Sequence, residues 1–135
     1  TPLLEQAKKT AEKNNVANVS FEVQEIEAVA PLEKFDLVSC LGVTSCIISE
    51  TKFLAFIVRL KELSKKGGYL LLIDTLSTVQ TQRASDGSGY LAKYRSIDDY
   101  RQLFSRRGFI LRDEILIKEI PERQLVNKCF LFELQ

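Results

Sequence analysis

The sequence predicts an α/β fold, a mostly parallel sheet that ends in an antiparallel strand pair. Three observations carry this. Strand-like apolar runs alternate with amphipathic helical segments over most of the chain. The run Tyr69-Leu70-Leu71-Leu72-Ile73 has no polar interruption, as expected of a central parallel strand covered on both faces. The chain then closes on two strands joined through Pro121 with no helix between them, which reads as an antiparallel hairpin.

Thr1-Pro2 opens a helix, the hydroxyl as cap and the proline at the first helical position. Leu4, Ala7 and Ala11 recur at helical spacing, and Asn14-Asn15 ends the segment. Val19, Phe21 and Val23 alternate with polar residues, the period of a strand. Pro31 falls in the connection to a second strand, 35–40. Ser49 caps the next helix, whose stripe is Phe53, Phe56, Ile57, Leu60 and Leu63. Lys65-Lys66 suit the negative end of its dipole, and Gly67-Gly68 supply a left-handed cap before the strand 69–73. Residues 75–95 lose periodicity and read as a long loop, either functional or solvated. Ser96 and Asp99 fit a capping box for a helix that turns Ile97, Tyr100, Leu103 and Phe104 inward and stops at Gly108. Strands over 109–120 and 128–134 finish the chain.

At 135 residues and 45% hydrophobic, the chain has material for one core, so a single domain over 1–135 is expected. A formal net charge of +1 leaves no electrostatic footprint for nucleic acid or an anionic membrane. No apolar run approaches the ~20 residues of a bilayer span. Residues 1–13 carry acidic charge, unlike a secretory signal. Cys40, Cys46 and Cys129 make no CxxC pair and there is no histidine, so no metal site is expected and the cysteines read as reduced thiols of a cytoplasmic protein. Without histidine, Ser-His-Asp and Cys-His catalysis are excluded within the chain.

Phe35-Asp36-Leu37-Val38, followed a helix later by Lys66-Gly67-Gly68 and a buried-type strand, resembles the fourth and fifth strands of class I S-adenosylmethionine-dependent methyltransferases. Arg107-Gly108-Phe109 is similar to that family's entry into its sixth strand. The resemblance covers the whole chain, from the middle of the family's fold onward. It implies a three-layer Rossmann-like sheet, mostly parallel with an antiparallel C-terminal strand pair, missing the first two strands and the Gly-rich loop between strand and helix. A fragment of a longer protein is therefore expected, or a homodimer or partner chain that completes the sheet.

The same resemblance implies S-adenosylmethionine as cofactor. Glu25 would meet the adenine amino group and the amide of Ile26 a ring nitrogen, with a solvated carboxylate as the alternative for Glu25. Leu41, Gly42 and Val43 would line the methionine arm, although Gly42 also suits a simple turn. Thr44, Asp74, Tyr90, Tyr94 and Arg95 are candidate substrate contacts, with Arg83 beside them, and Asp74 reads equally as a turn former. Cys40 reads as a small buried hydrophobe, not a nucleophile. No catalytic residue is assigned, because methyl transfer needs alignment more than acid–base chemistry. The acceptor is expected to be a small molecule or a protein, since no amino-methylating Asn-Pro-Pro-Tyr signature is present for nucleic-acid bases. The alternative role is a non-catalytic docking module derived from the same fold. A dehydrogenase fragment is disfavoured because Gly67-Gly68 precede a strand instead of following one.

Overall fold

Thr1 accepts a hydrogen bond from the Leu4 amide (3.4 Å) and starts helix α1, Pro2–Lys13, with proline where its missing N–H costs nothing. Asn14 ends the helix, its side chain donating to the Thr10 carbonyl (2.8 Å), and Asn15 turns into the left-handed region. The computed structural model describes residues 1–30 and 34–135, in two units, Thr1–Ala30 and Pro31–Gln135. Pro31, expected in a connection, lies outside the described residues.

In the first unit the strand expected from the alternation of Val19, Phe21 and Val23 does not form. The alternating stretch runs without regular structure into a short 3-10 turn at Ile26–Ala28, and Val19 and Val23 stay exposed. Alternation supplies a face but not a partner, and among the described residues no strand pairs with this one.

The second unit is built on four strands: β1 (Phe35–Leu41), β2 (Ser64–Ser77), β5 (Phe109–Ile120) and β6 (Leu125–Leu134). They are ordered β1-β2-β6-β5, with β1 parallel to β2 and β6 antiparallel to both β2 and β5. Three strands thus run one way, and the last strand of the chain is inserted against them. The expected strand pair at the end of the chain is present, with β6 beginning three residues earlier than its apolar pattern suggests.

Helix α2, Glu50–Leu63, is capped by Ser49 and buries Phe53, Phe56, Ile57, Leu60 and Leu63. Helix α3, Ile97–Ser105, buries Tyr100 and Phe104. Both pack on one face of the sheet through their rings. Tyr100 lies 5.2 Å from Phe130, Phe104 stacks 5.1 Å from Phe132, and Phe53 meets Phe104 edge-on at 6.3 Å. Each buried ring contributes about 1.5–3 kcal/mol by leaving water, and pairs of this geometry add roughly 0.5–1.5 kcal/mol.

Several local expectations are corrected. The strand around 69–73 is not covered equally on both faces: Leu70 and Leu72 are fully buried, Leu71 and Ile73 half-buried, and Tyr69 exposed. Gly67-Gly68 do not cap α2. The helix ends when Ser64 turns extended and donates its hydroxyl to the Leu60 carbonyl (2.8 Å). The glycines serve the sheet instead. A Cβ on Gly68 would lie 2.9 Å from the Lys65 oxygen, 3.0 Å from that of Asp36 and 3.2 Å from that of Phe35, so β1 approaches here because the side chain is absent. The capping box at α3 is half formed. Ser96 accepts from the Asp99 amide (3.2 Å), but the Ser96 amide donates to Thr81 Oγ1 (3.1 Å) instead of to Asp99.

Residues 75–95 are not an unstructured loop. β2 continues to Ser77 against β6, and β3 (Gln82–Ser85) pairs antiparallel with β4 (Leu91–Tyr94). Ala92 and Tyr94 are buried in a small cluster with Leu125, which gives this hairpin its own apolar anchor.

Candidate functional site

The parallel strands β1 and β2 end together, and the chain turns sharply beyond β1. Gly42 occupies the left-handed region (φ +69) while its amide donates to the Ile73 carbonyl (2.7 Å), which extends the β1–β2 ladder by one bond. A short turn at Thr44–Cys46 then leads to the Ser49 cap of α2. Such an edge, beyond the carboxyl ends of parallel strands, is where open α/β sheets bind ligands.

Asp74, near the end of β2, is 2% exposed. Its Oδ2 accepts from Thr44 Oγ1 (2.5 Å) and from the Ser45 amide (3.1 Å), and its Oδ1 from the Thr75 amide (2.8 Å). The Thr44 hydroxyl also lies 3.3 Å from Tyr100 Oη. Because the single threonine proton goes to Asp74, the tyrosine is the donor in that contact. Burial, above all, pushes the Tyr100 phenol well above its ordinary value, so it keeps that proton.

Arg95 follows β4 and is also 2% exposed. Its Nη1 donates to the Thr44 carbonyl (3.1 Å), and its Nη2 to the Ile47 carbonyl (2.8 Å) and to Glu50 Oε1 (2.9 Å). The guanidinium carbon stands 3.6 Å over the Phe53 ring. Lys93 Nζ reaches the same Glu50 oxygen at 2.5 Å. Burial pushes the Glu50 carboxyl up, but Lys93 and Arg95 together outweigh it and hold it below its ordinary value. Burial lowers the Arg95 pKa and Glu50 opposes this, which leaves a guanidinium charged at any working pH. A cleft of about 320 Å³ opens beside the network, lined by Glu50, Lys93, Arg95, Asp99 and Arg106 among others.

The residues anticipated from sequence divide accordingly. Leu41, Gly42, Val43, Thr44, Asp74 and Arg95 come together at the strand ends. Asp74 accepts three hydrogen bonds that fasten the loop, while Arg95 points at loop carbonyls instead of solvent. Tyr94 packs into the hairpin cluster, whereas Tyr90 and Arg83 are exposed on the hairpin. Glu25 and Ile26 belong to the first unit, at its 3-10 turn, with Glu25 exposed. Cys40 is buried, and burial first, then the neighbouring Asp74, push its thiol up to about 12, so it stays protonated and is not a nucleophile. All three cysteines are free thiols. Sequence reasoning missed Glu50, Lys93 and Ser45, and read Tyr100 as apolar filling only. Among the described residues no group of three or more His, Cys, Asp or Glu could hold a metal ion, and no helix is long and apolar enough to cross a membrane.

Leu41 and Val43 flank Gly42 and remain 57% and 41% exposed, unusual for apolar residues beside a buried network. Beyond its two chain neighbours, a Cβ added at Gly42 would meet no atom of the described residues within 4 Å. The turn therefore offers an open backbone surface rimmed by two apolar side chains.

Residues 2–108 match the methyltransferase domain family, and the chain belongs to that family. Its fold is accordingly a Rossmann-like methyltransferase fold. Among solved structures, the chain is similar to the 1,6-didemethyltoxoflavin-N1-methyltransferase of Burkholderia thailandensis, at TM-score 0.81 and 12% identity over 96% of this chain and 56% of that one. It is also similar to a S-adenosylmethionine-dependent methyltransferase from Clostridium acetobutylicum (TM-score 0.72, 12% identity, 99% of this chain and 72% of that one). The magnesium protoporphyrin IX methyltransferase of Synechocystis, solved with bound S-adenosylmethionine, follows at TM-score 0.66 and 16% identity, over 98% of this chain and 54% of that one. The chain thus spans little more than half the length of two of these three. No protein of curated function matches its sequence.

Proposed function

We propose that the chain serves S-adenosylmethionine-dependent methyl transfer to a small-molecule or protein acceptor, with the cofactor held against the turn that follows β1. The observation that carries this reading is the open Gly42 backbone between exposed Leu41 and Val43, at the parallel strand ends of a methyltransferase-family chain. The cofactor supplies an electrophilic methyl group. The chain supplies alignment: Gly42 lets a ligand approach the backbone, Leu41 and Val43 cover apolar surface, and the buried Asp74–Thr44–Tyr100 relay keeps the turn in place. The adenine contacts at Glu25 and Ile26 rest on the family resemblance alone. Among the described residues β1 pairs on one side only, which leaves room at that edge for a further strand from a longer chain, a second copy or a partner. The same reading takes the protein to be cytoplasmic, in keeping with three cysteines that form no CxxC pair.

Calorimetric titration with S-adenosylhomocysteine tests the reading. Micromolar binding that is lost in a Gly42→Val variant is expected, since a β-branched residue is strained at φ +69 and covers the open surface. A folded chain that binds no S-adenosylhomocysteine overturns it.

A further inference from the structure

The turn beyond β1 is gripped at a single peptide group from two directions. The Ser45 amide donates to Asp74 Oδ2 (3.1 Å), and the carbonyl of that same peptide, on Thr44, accepts from Arg95 Nη1 (3.1 Å). Arg95 then reaches further along the same segment, to the Ile47 carbonyl (2.8 Å) and to Glu50 (2.9 Å) in the first turn of α2. One guanidinium thus ties together three points of residues 44–50, and its partner across the peptide is the carboxyl of β2. The Thr44–Ser45 peptide has a donor on its carbonyl and an acceptor on its N–H. Flipping it would set oxygen against carboxyl and N–H against guanidinium, both in a buried place where unpaired polar groups are costly.

We propose that Arg95 is a positioning residue, which locks the Thr44–Ser45 peptide and with it the ligand-facing turn into one arrangement before any ligand arrives. The proposal rests on the methyl-transfer reading for the ligand but not for the lock. Arginine is required because its planar fork serves two carbonyls and a carboxylate at fixed angles. A lysine keeps the charge and the Glu50 pair but is a single point donor. The lock also joins the β3–β4 hairpin to the turn, since Arg95 directly follows β4 and Lys93 within β4 shares Glu50. The hairpin therefore belongs to the ligand site mechanically.

The test compares Arg95→Lys and Arg95→Gln with Phe109→Leu, a core change separated from Phe53 and Tyr100 by the Phe104 ring. Amide hydrogen exchange of the ligand-free chain is read at Ser45, Cys46 and Ile47, together with the S-adenosylhomocysteine dissociation constant and the thermal midpoint. In both Arg95 variants the three amides should exchange about tenfold faster and affinity should fall about tenfold, as expected for the loss of roughly one buried hydrogen bond's worth of order. Phe109→Leu should lower the midpoint and leave both readouts as they were. Wild-type exchange in the Arg95 variants, or an equal change in Phe109→Leu, overturns the proposal. If the unaltered chain binds no S-adenosylhomocysteine while the exchange difference stands, the lock is upheld and the methyl-transfer reading falls.

Discussion

The two ends of the β1–β2 pair each carry an aspartate, and the two behave in opposite ways. Where the pair begins, Asp36 meets Lys65 at 2.8 Å, with side chains 87% and 50% exposed. Lys65 holds the Asp36 carboxyl below its ordinary value, yet water screens the contact and its weight in stability is slight. Where the pair ends, Asp74 is sealed among Thr44, Ser45 and Tyr100, and Arg95 closes the far side of the same turn. A carboxyl in water decorates the sheet, and a carboxyl out of water organises it. The first end is held by close backbone approach at Gly68, the second by hydrogen bonds between groups with no solvent to replace them.

Truncation at the buried end should show the contrast most strongly. Asp74→Ala leaves the Thr44 hydroxyl and the Ser45 amide without their acceptor and is expected to cost about 3 kcal/mol in urea unfolding. A loss near zero would mean that water or a relaxed turn replaces the carboxyl. Gly68→Ala probes the other end, where a methyl group must push three backbone oxygens apart; about 2 kcal/mol is expected, with the β1–β2 pairing loosened. The smallest effect is in acid. Glu50 has a lowered pKa in the folded chain, so it contributes stability above its ordinary value of 4.5 that is lost as pH falls through the lower folded value. Glu50→Gln should flatten the decline in midpoint below about pH 4.5, whereas Asp36→Asn should leave the profile as it is. Equal effects from the two substitutions would erase the distinction between the ends.

Legibility followed distance along the chain. The stripe of α2 and the Ser49 and Ser96 caps were readable because each depends on residues within a turn or two of one another. The hairpin β3–β4 was not, since strands of four residues hold too few periods to be seen. Gly67-Gly68 were visible as a special pair, but their neighbour, the β1 backbone, lies some thirty residues earlier, so their purpose was misassigned. At the site, Leu41, Gly42 and Val43 could be picked by family resemblance, and Thr44, Asp74 and Arg95 could be named one by one. That they form a single network with Glu50 and Tyr100 could not.

By itself, the sequence determined the three helices, the strands that build the four-stranded sheet, the stripes that α2 and α3 bury, and the family to which the chain belongs. Only the tertiary structure decided that the stretch of Val19, Phe21 and Val23 has no strand partner among the described residues, that Asp74 and Arg95 are buried, and that they grip one peptide from opposite sides. The reason is physical: periodicity records what each segment needs to bury. The partner of a buried polar group is set by chain closure, which brings residues 44, 74 and 95 within hydrogen-bond distance.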